Sequence, residues 1–364
     1  MKQIAIACVV GARPNFIKMA SIVEALRVRP DFVMKLVHTG QHHSPEMSQK
    51  FFDDLELPRP DISLEVSGGT QTEQTAEIMK RLEKALLEDR PDAVLIVGDV
   101  TSTLATALVA SKLGIRIAHV EAGLRSFDRR MPEEINRIVT DTLSDYLFVT
   151  ERSGLQNLKV EGISEDRIFF SGNVMIDTLL RFRDKARRSD ILDRLGLQSG
   201  GYAVATMHRP SNVDDPQQLA GMIAMLCAIG KELPLVFPVH PRTRKQIEEQ
   251  KLNVSGLIIA PPLGYLDFLR LMSEARLVLT DSRGIQEETT ILQVPCLTMR
   301  DNTERPVTIE QGTNRLVGTA PETIIRAARE TLNGRPLPGR PPELWDGGAG
   351  QRIADVLAVK LADN

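Results

Sequence analysis

The sequence predicts an α/β protein built from two doubly wound domains, each a parallel sheet with helices on both faces. The chain has 364 residues, more than one compact core usually accommodates. Short apolar runs alternate with longer segments of helical periodicity, a pattern typical of a parallel sheet covered on both sides. About five such runs lie in each half. We therefore expect two sheets, with ligands bound beyond the carboxyl ends of the strands.

The first half contributes the predicted strands IAIACVV (4–10), VMKLVH (33–38), AVLIVG (93–98), RIAHV (116–120) and YLFVT (146–150). The first run could be mistaken for the apolar part of a signal peptide. It is short, however, and is followed directly by Gly-Ala-Arg-Pro without a small-residue cleavage site, so a buried strand is the better interpretation. No apolar run approaches the ~20 residues of a membrane span.

The second half contributes YAVAT (202–206), LVFPV (235–239), GLIIA (256–260), RLVLT (276–280) and CLTM (296–299). Between the halves, RIFFSGNVMIDTLL (167–180) predicts a strand followed by a crossing segment, and we expect the hinge near residues 171–200. The expected domains are residues 1–175 and residues 176–349. A Pro-rich stretch at 334–348 precedes a last helical segment, so helix 350–364 can dock back onto the first domain.

Charge and cysteine content exclude several classes of partner. The chain has 45 basic and 48 acidic residues, a net charge of -3 and no long run of one sign. We therefore expect neither nucleic acid nor an anionic membrane as a partner. The cysteines Cys8, Cys227 and Cys296 are isolated and odd in number, which argues against a disulfide framework or a thiol metal site. Such thiols suit the reducing cytoplasm.

The first motif, VVGARPNFIK (9–18), is a strand end, a glycine-containing loop and a helix start with Arg13 and Lys18. It matches neither GxGxxG nor GxxxxGK[ST], and no Cys/His/carboxylate spacing is typical of a metal site, so we expect no nicotinamide cofactor and no metal. Cations at a helix N-terminus are unfavourable for the helix dipole. Their presence indicates a bound anion; a surface-charged helix start is the alternative.

Three carboxylates of the first half are predicted to meet at one sheet edge. Asp99 follows a strand, where α/β ligands bind, although a capping role is the alternative. Glu121 ends the next strand, and Glu133 begins the following helix, one helical turn before Arg137 on the same face. Because clustered carboxylates repel one another, their pKa values spread, which suits acid/base chemistry.

Two histidines of the second half follow predicted strands. His208 lies in ATMHRPSN (205–212) and His240 in FPVHP (237–241). A lone histidine is most often structural. A histidine in a strand-end loop facing an inter-domain cleft is a candidate for binding or proton transfer.

The segment TDSRGIQEETT (280–290) predicts an anion site. A strand, a tight turn and a helix start direct free N–H groups and the positive end of a helix dipole at one point. Arg283 adds a positive charge, and Gly284 allows close approach of the backbone. We expect a nucleotide diphosphate here, with Glu288 accepting hydrogen bonds from a ribose. Glu287 lies about 100° around the helix and is expected to point elsewhere; a capped helix is the alternative for the whole segment.

Together these motifs resemble the non-hydrolysing UDP-N-acetylglucosamine 2-epimerase family. Ordered matches cover almost the whole chain: GARPNFIKMA, HTGQH, GDVTSTLA, HVEAGLRS, MPEEINR, GNVMIDTLL, MHRPSNVDD, PVHP, TDSRGIQEE, RDNTERPVT and WDGGAGQRIADVL. The resemblance implies two Rossmann-like domains facing a cleft, as in GT-B glycosyltransferases, and a homodimer. It also implies a UDP-sugar substrate whose C2 proton is removed as UDP leaves, giving a 2-acetamidoglucal to which UDP is added back.

The resemblance also implies roles for individual residues. The catalytic set would be Asp99, Glu121, Glu133 and His208. Groups near the sugar and phosphates would be Arg13, Lys18 and Arg137. The positions that match UDP contacts are His240, Leu263, Phe268, Ser282, Arg283, Gly284, Glu288 and Arg305, with Phe268 near uracil.

Two departures from the family pattern bear on the substrate. Arg283 replaces the first glycine of the usual Asp-Ser-Gly-Gly. The sequence GARPNF is closer to Gly-Ala-Arg-Pro-Gln-Phe of relatives that act on 2,3-diacetamido uronic acids than to Gly-Thr-Arg-Pro-Glu. Epimerisation of UDP-2,3-diacetamido-2,3-dideoxy-glucuronate and a hydrolysing epimerase are therefore alternatives, and a GT-B glycosyltransferase is the alternative from another class. The loop SFDRRM and the residues RPSN argue against regulation by a second substrate molecule.

Overall fold

The computed structural model describes residues 3–40, 52–334 and 339–362. The chain divides into two compact units, one formed by Met1–Arg181 with Glu343–Asn364 and the other by Phe182–Pro342. None of the described helices is long and apolar enough to cross a membrane.

The first unit contains a seven-stranded parallel sheet in the order β3-β2-β1-β4-β5-β6-β7. Its strands are β1 Ile4–Val10, β2 Phe32–His38, β3 Ile62–Ser63, β4 Ala93–Val97, β5 Arg116–Ala122, β6 Tyr146–Val149 and β7 Ile168–Phe170. Its helices are α1 Arg13–Arg27, α2 Gln71–Glu88, α3 Thr101–Leu113, α4 Pro132–Leu143 and α5 Arg152–Val160; α6 Val174–Ala186 leads into the second unit. The strand order reverses between β1 and β4, the point where such sheets bind ligands.

The second unit contains a six-stranded sheet in the order β10-β9-β8-β11-β12-β13, and its strand pairs are again parallel. Its strands are β8 Ala203–Thr206, β9 Leu235–Pro238, β10 Leu257–Ala260, β11 Leu277–Thr280, β12 Cys296–Thr298 and β13 Asn314–Leu316. Its helices are α7 Ile191–Leu195, α8 Pro210–Val213, α9 Pro216–Gly230, α10 Pro241–Glu249, α11 Tyr265–Ser273, α12 Arg283–Leu292, α13 Pro306–Glu310 and α14 Pro321–Asn333. Here the order reverses between β8 and β11, which again places a ligand site at their carboxyl ends.

The predicted α/β class, with two doubly wound sheets, is confirmed. Each of the ten apolar runs coincides with a strand, because helices cover both faces and the strands are uniformly apolar. The central strand β4 is fully buried along Ala93–Val97. Two edge strands, β3 and β13, escaped prediction because they are two and three residues long and carry no periodicity.

The final helix, α15 Ala349–Ala362, packs against α1 of the first unit. The Gly350 N–H donates to Asp177 Oδ2 at 2.7 Å, and the Trp345 indole N–H donates to the Thr150 carbonyl at 2.9 Å. A β-carbon on Gly350 would lie 2.8 Å from the Ser21 carbonyl oxygen. The absence of a side chain at this position therefore sets the close approach of the two helices. Four residues of the Pro-rich stretch, 335–338, lie outside the described residues.

Candidate functional site

Asp99 lies at the carboxyl edge of the first sheet, between β4 and α3. Its carboxylate pairs with the guanidinium of Arg137, which projects from α4 and is only 2% exposed. The Asp99 carbonyl accepts a hydrogen bond from Asn136 Nδ2 at 2.8 Å. Both the side chain and the backbone of Asp99 are therefore held by α4, the helix in which the sequence places the MPEEINR motif.

Glu121 interrupts the regular backbone of β5. Its φ is +74°, and the pairing with β6 shifts register between Val120 and Ala122, so the strand continues past the residue expected to end it. Such an irregularity redirects a side chain and carries backbone strain. The redirected carboxylate pairs with Lys18 of α1, and both side chains are largely buried. A β-carbon on Gly98 would lie 3.3 Å from each member of this pair, so the pair lies against the end of β4.

Within α4, Arg137 bonds to Glu134, three residues earlier. Glu134 also accepts the backbone N–H groups of Ser126 at 2.9 Å and Phe127 at 3.0 Å. Burial alone would raise the pKa of Glu134, but these N–H donors and Arg137 lower it below its usual value. Sequence reasoning missed Glu134 and emphasised Glu133, which is half-buried at the start of the same helix. The signal was available, because spacings of three and four residues both share a helix face.

In the second unit, His208 follows β8 and pairs through Nδ1 with Asp281 Oδ1 at 2.9 Å. Asp281 is fully buried and also accepts the N–H groups of His208 and Arg209, each at 3.0 Å, and Asn212 Nδ2 at 3.0 Å. Burial raises the pKa of Asp281, but His208 and the other donors lower it below its usual value. The His208 side chain remains 60% exposed. Asp281 therefore orients an accessible imidazole, a role that the strand-end position of Asp281 could have indicated.

The predicted anion site begins where Ser282 precedes α12. The Ser282 side chain makes no capping hydrogen bond to this helix start. The Arg283 side chain lies against Glu304, with Nε 3.2 Å from Oε1, and Arg300 Nη2 lies 2.8 Å from Oε2 of the same carboxylate. Burial raises the pKa of Glu304, but Arg283 and Arg300 outweigh it and hold the carboxyl ionised far below its usual range. Arg283, which replaces the usual glycine, is therefore paired with a buried counter-ion, Glu304.

A second buried ion pair lies beside the first. Arg305 Nε is 2.6 Å from Glu287 Oε1, and both side chains are at most 3% exposed. The guanidiniums of Arg283, Arg300 and Arg305 thus lie around the carboxylates of Glu287 and Glu304 near the start of α12. Nη1 of Arg300 is buried without a hydrogen-bond partner among the described residues. A buried donor of this kind favours a ligand that can accept a hydrogen bond.

Glu288 has a different environment from its neighbour. It lies 3.2 Å from the Tyr265 hydroxyl, and both groups are buried. Burial, together with nearby Glu287, raises the pKa of Glu288 to about 8, although the hydrogen bond from Tyr265 opposes the shift. This raised pKa favours the neutral carboxylic acid form of Glu288 near neutral pH.

The remaining predicted site residues occupy strand-end loops and the helix that follows β10. His240 follows β9 and is exposed, Leu263 follows β10, and Phe268 lies half-buried in α11. Gly284 lies in the first turn of α12. The Arg13 side chain lies outside the described part of the structure, although its backbone begins α1. In the described ranges, no group of three or more His, Cys, Asp or Glu side chains is arranged to hold a metal ion.

With this geometry established, comparison with known proteins identifies the family. The family model described as UDP-N-acetylglucosamine 2-epimerase matches residues 24–358. The chain belongs to the UDP-N-acetylglucosamine 2-epimerase family. This assignment confirms the resemblance seen in the motifs.

Individual relatives match the chain from end to end. The UDP-N-acetylglucosamine 2-epimerase of Methanocaldococcus jannaschii is 42% identical, over 97% of this chain and 98% of the relative. The UDP-2,3-diacetamido-2,3-dideoxy-D-glucuronate 2-epimerase of Pseudomonas aeruginosa is 43% identical, over 97% and 99%. The crystal structure of the Methanocaldococcus jannaschii enzyme in complex with UDP-GlcNAc and UDP superposes with a TM-score of 0.92, at 41% identity, covering 98% of this chain and all of that one. The GT-B-like α/β fold class is therefore confirmed.

Proposed function

We propose that the protein is a non-hydrolysing 2-epimerase that interconverts UDP-N-acetylglucosamine and UDP-N-acetylmannosamine. The observation that carries the proposal is the full-length likeness to an epimerase crystallised with UDP-GlcNAc and UDP. The site geometry supports it, because Asp99 and Glu121 follow or interrupt strand ends of the first unit, paired with Arg137 and Lys18, and arginines surround the start of α12 in the second.

In the proposed reaction, a carboxylate removes the C2 proton while the bond from C1 to the UDP oxygen breaks. The electron pair of the C2–H bond forms the C1–C2 double bond of a 2-acetamidoglucal, and UDP leaves with the pair of the broken bond. UDP then adds back at C1 while an acid protonates C2 from the opposite face. A weakly acidic C2–H requires a positioned base, and inversion requires an acid on the other side.

The first unit supplies the acid/base groups in this proposal: Asp99, Glu121 and Glu133. The pairing of Asp99 with Arg137 and of Glu121 with Lys18 favours ionised carboxylates, as a base requires. In this proposal Arg13, Lys18 and Arg137 lie near the sugar and phosphates, a position that the family resemblance supports.

The second unit supplies His208 to the catalytic set and holds UDP. The diphosphate would lie at Ser282–Gly284, where the N–H groups of a helix start and nearby guanidiniums favour an anion. Arg305 would contact it. Glu288 would accept hydrogen bonds from the ribose. The positions near the base and the rest of the nucleotide would be Phe268, Leu263 and His240.

We also propose that the protein works as a homodimer in the cytoplasm. The family resemblance supports the homodimer. The free cysteines support a reducing compartment, since Cys8, Cys227 and Cys296 form no disulfide.

One experiment tests the proposed function directly. The protein is incubated with UDP-N-acetylglucosamine in D2O and the products are followed by NMR. We expect deuterium at C2 and appearance of the manno isomer with UDP still attached. Free sugar would indicate hydrolysis, and absence of exchange would reject epimerisation of this substrate.

The second substrate to test in the same way is UDP-2,3-diacetamido-2,3-dideoxy-glucuronate, because the enzyme named for it is 43% identical to this chain. Deuterium exchange at C2 with that substrate alone would support the same epimerisation reaction on a different sugar. No exchange with either substrate would leave a glycosyltransferase as the alternative to test with an added acceptor.

A further inference from the structure

A histidine outside the proposed catalytic set lies beneath the carboxyl ends of β4 and β5. His119 belongs to β5 and is completely buried. Its Nδ1 is 2.7 Å from Asp141 Oδ1 of α4, and its Nε2 is 2.8 Å from the carbonyl oxygen of Gly98, the residue before Asp99. One imidazole therefore joins β5, the end of β4 and α4.

The partners of the ring determine its hydrogens. A carbonyl oxygen can only accept, so Nε2 of His119 carries a hydrogen and donates it to Gly98. Asp141 Oδ2 accepts the Gly123 N–H at 3.0 Å and lies 2.7 Å from Arg125 Nη2. Two donors on one oxygen favour the ionised carboxylate, which can also only accept through Oδ1. With Asp141 ionised, Nδ1 would donate as well, which would make the ring an imidazolium.

The surrounding charges are consistent with this protonation. Burial alone would raise the pKa of Asp141, but His119 and Arg125 lower it below its usual value. Arg125 also pairs with Glu161, at 2.7 Å from Nε and 2.6 Å from Nη2. Arg125 thus joins the buried Asp141 to Glu161, whose side chain is 35% exposed, and this pairing avoids the cost of an isolated buried charge. On the other side of Gly98 lies the Lys18–Glu121 pair, which is itself balanced.

The hydrogen bonds of His119 and Asp141, called here the His119 network, hold backbone atoms beside the proposed catalytic carboxylates. Gly98, which precedes Asp99, has a φ of +71°; Glu121 has a φ of +74°; and Gly123 has a φ of +78°. Left-handed backbone at a non-glycine residue such as Glu121 persists only where the surroundings enforce it. The contacts to Gly98 and Gly123 supply that enforcement on both strands.

We propose that His119 is a positioning residue, held as a buried imidazolium that, with Asp141, fixes the strand ends carrying Asp99 and Glu121. The proposed protonation state of His119 does not depend on which reaction the protein catalyses. Its consequence for turnover rests on the proposed function.

A spectroscopic measurement tests the protonation state. The protein is labelled with 15N-histidine, and the His119 ring is identified by the slow solvent exchange of its hydrogens and by its absence from the spectrum of His119→Gln. At neutral pH we expect both ring nitrogens of His119 to show a bonded hydrogen. One protonated and one bare nitrogen would place the shared proton on Asp141 and overturn the proposal. The wild-type spectrum decides this even if the variant does not fold.

A kinetic measurement tests the positioning role. In His119→Gln, the amide cannot donate to both Gly98 and Asp141, so the strand ends lose one of their constraints. We expect kcat to fall about 10- to 100-fold, since small misplacements of catalytic groups cost about this much, while KM and the UDP dissociation constant change little.

The matched control is Ile117→Val, on the same buried strand. It removes packing without touching the network, and we expect its kcat to equal that of the wild type. Equal kcat values for His119→Gln and Ile117→Val would mean that His119 contributes only to packing. A wild-type protein inactive on both UDP-sugars would reject the proposed function and leave the spectroscopic result standing.

Discussion

At the scale of single residues, two strand-end carboxylates of the first unit are held by cations from helices. Asp99 and Glu121 lie at strand ends as expected, yet their counter-ions, Arg137 and Lys18, come from helices distant in sequence. Glu134 and Asp281 were missed because their importance lies in the donors around them. Some of those donors, such as the N–H groups of Ser126 and Phe127, are set by loop conformation, which no local periodicity encodes. The spacing from Glu134 to Arg137 and the strand-end position of Asp281 were visible in the sequence.

Glu288 provides a prediction of pH-dependent stability. Its pKa is about 8 in the folded chain, against about 4.3 for an ordinary glutamate. The stability that comes from the protonated form is complete below about pH 4.3 and is lost as pH rises through about 8. Glu288→Gln cannot ionise. We expect the free energy of unfolding of Glu288→Gln, taken relative to that of the wild type, to rise by on the order of 3 kcal/mol between about pH 5 and pH 9.

Urea unfolding of the ligand-free proteins at the two pH values measures this gain. Glu330→Gln serves as the control, because Glu330 is half-exposed on the surface of the same unit and pairs with Arg315. Parallel pH profiles for Glu288→Gln and the wild type would mean that Glu288 is ionised in the folded chain.

Glu287 provides a prediction that the sequence alone would not have made. The helical position indicated only that Glu287 points away from the ribose site, whereas the structure shows it as the fully buried counter-ion of Arg305. Glu287→Ala leaves a buried guanidinium without this partner, which costs about 3–5 kcal/mol. We expect the double variant Glu287→Leu with Arg305→Met to be less destabilised than Glu287→Ala alone. Chemical denaturation of the three proteins forms the test, and equal stability of Glu287→Ala and the wild type would contradict the pairing.

At the scale of elements, helices and strands followed from hydrophobic pattern, whereas their irregularities did not. The register shift at Glu121 occupies one residue in an otherwise apolar strand, so no periodic signal could reveal it. Close contacts between helices are equally invisible in a pattern. The glycine at position 350 looks unremarkable until α1 is seen against it.

Gly350 therefore gives a prediction about helix packing. In Gly350→Ala, the added methyl group would meet the Ser21 carbonyl at 2.8 Å, so α1 and α15 must separate. We expect a loss of about 1–3 kcal/mol. Gly221→Ala is the matched control, because Gly221 lies in α9 and its nearest neighbour would be 3.9 Å away; this change should be neutral or stabilising by up to about 1 kcal/mol. Thermal unfolding distinguishes them, and similar melting temperatures for both variants would show that the contact relaxes freely.

At the scale of the whole molecule, the proposed catalytic carboxylates and the proposed diphosphate site belong to different units. Length and the count of apolar runs were enough to predict two sheets, because each core has a limited size. The boundaries depend on which contacts form, and the structure gives the first unit both Met1–Arg181 and Glu343–Asn364. The carboxylates Asp99 and Glu121 belong to that unit, while the cationic start of α12 belongs to the other.

This separation predicts that turnover and UDP binding can be uncoupled. Asp99→Asn and Glu121→Gln keep side-chain shape and remove a proton acceptor in the first unit. We expect kcat to fall about 10²–10⁴-fold, the usual contribution of a general acid or base, with UDP affinity nearly unchanged. Calorimetric titration with UDP and steady-state kinetics measure the two quantities. A loss below tenfold in both variants would assign these carboxylates a structural role.

The return of the chain to the first unit has a consequence for its synthesis. About 160 residues of the second unit emerge from the ribosome between α6 and the segment that completes the first. About 320 residues separate the end of α1 from the start of α15, so at roughly 5–20 residues per second the face of α1 that receives α15 stays uncovered for about 15 to 65 s. The second unit is continuous in sequence and can close first. The N-terminal half is therefore synthesised early, but its folding is completed late. During that interval the nascent chain is most exposed to misassembly or to binding by a chaperone.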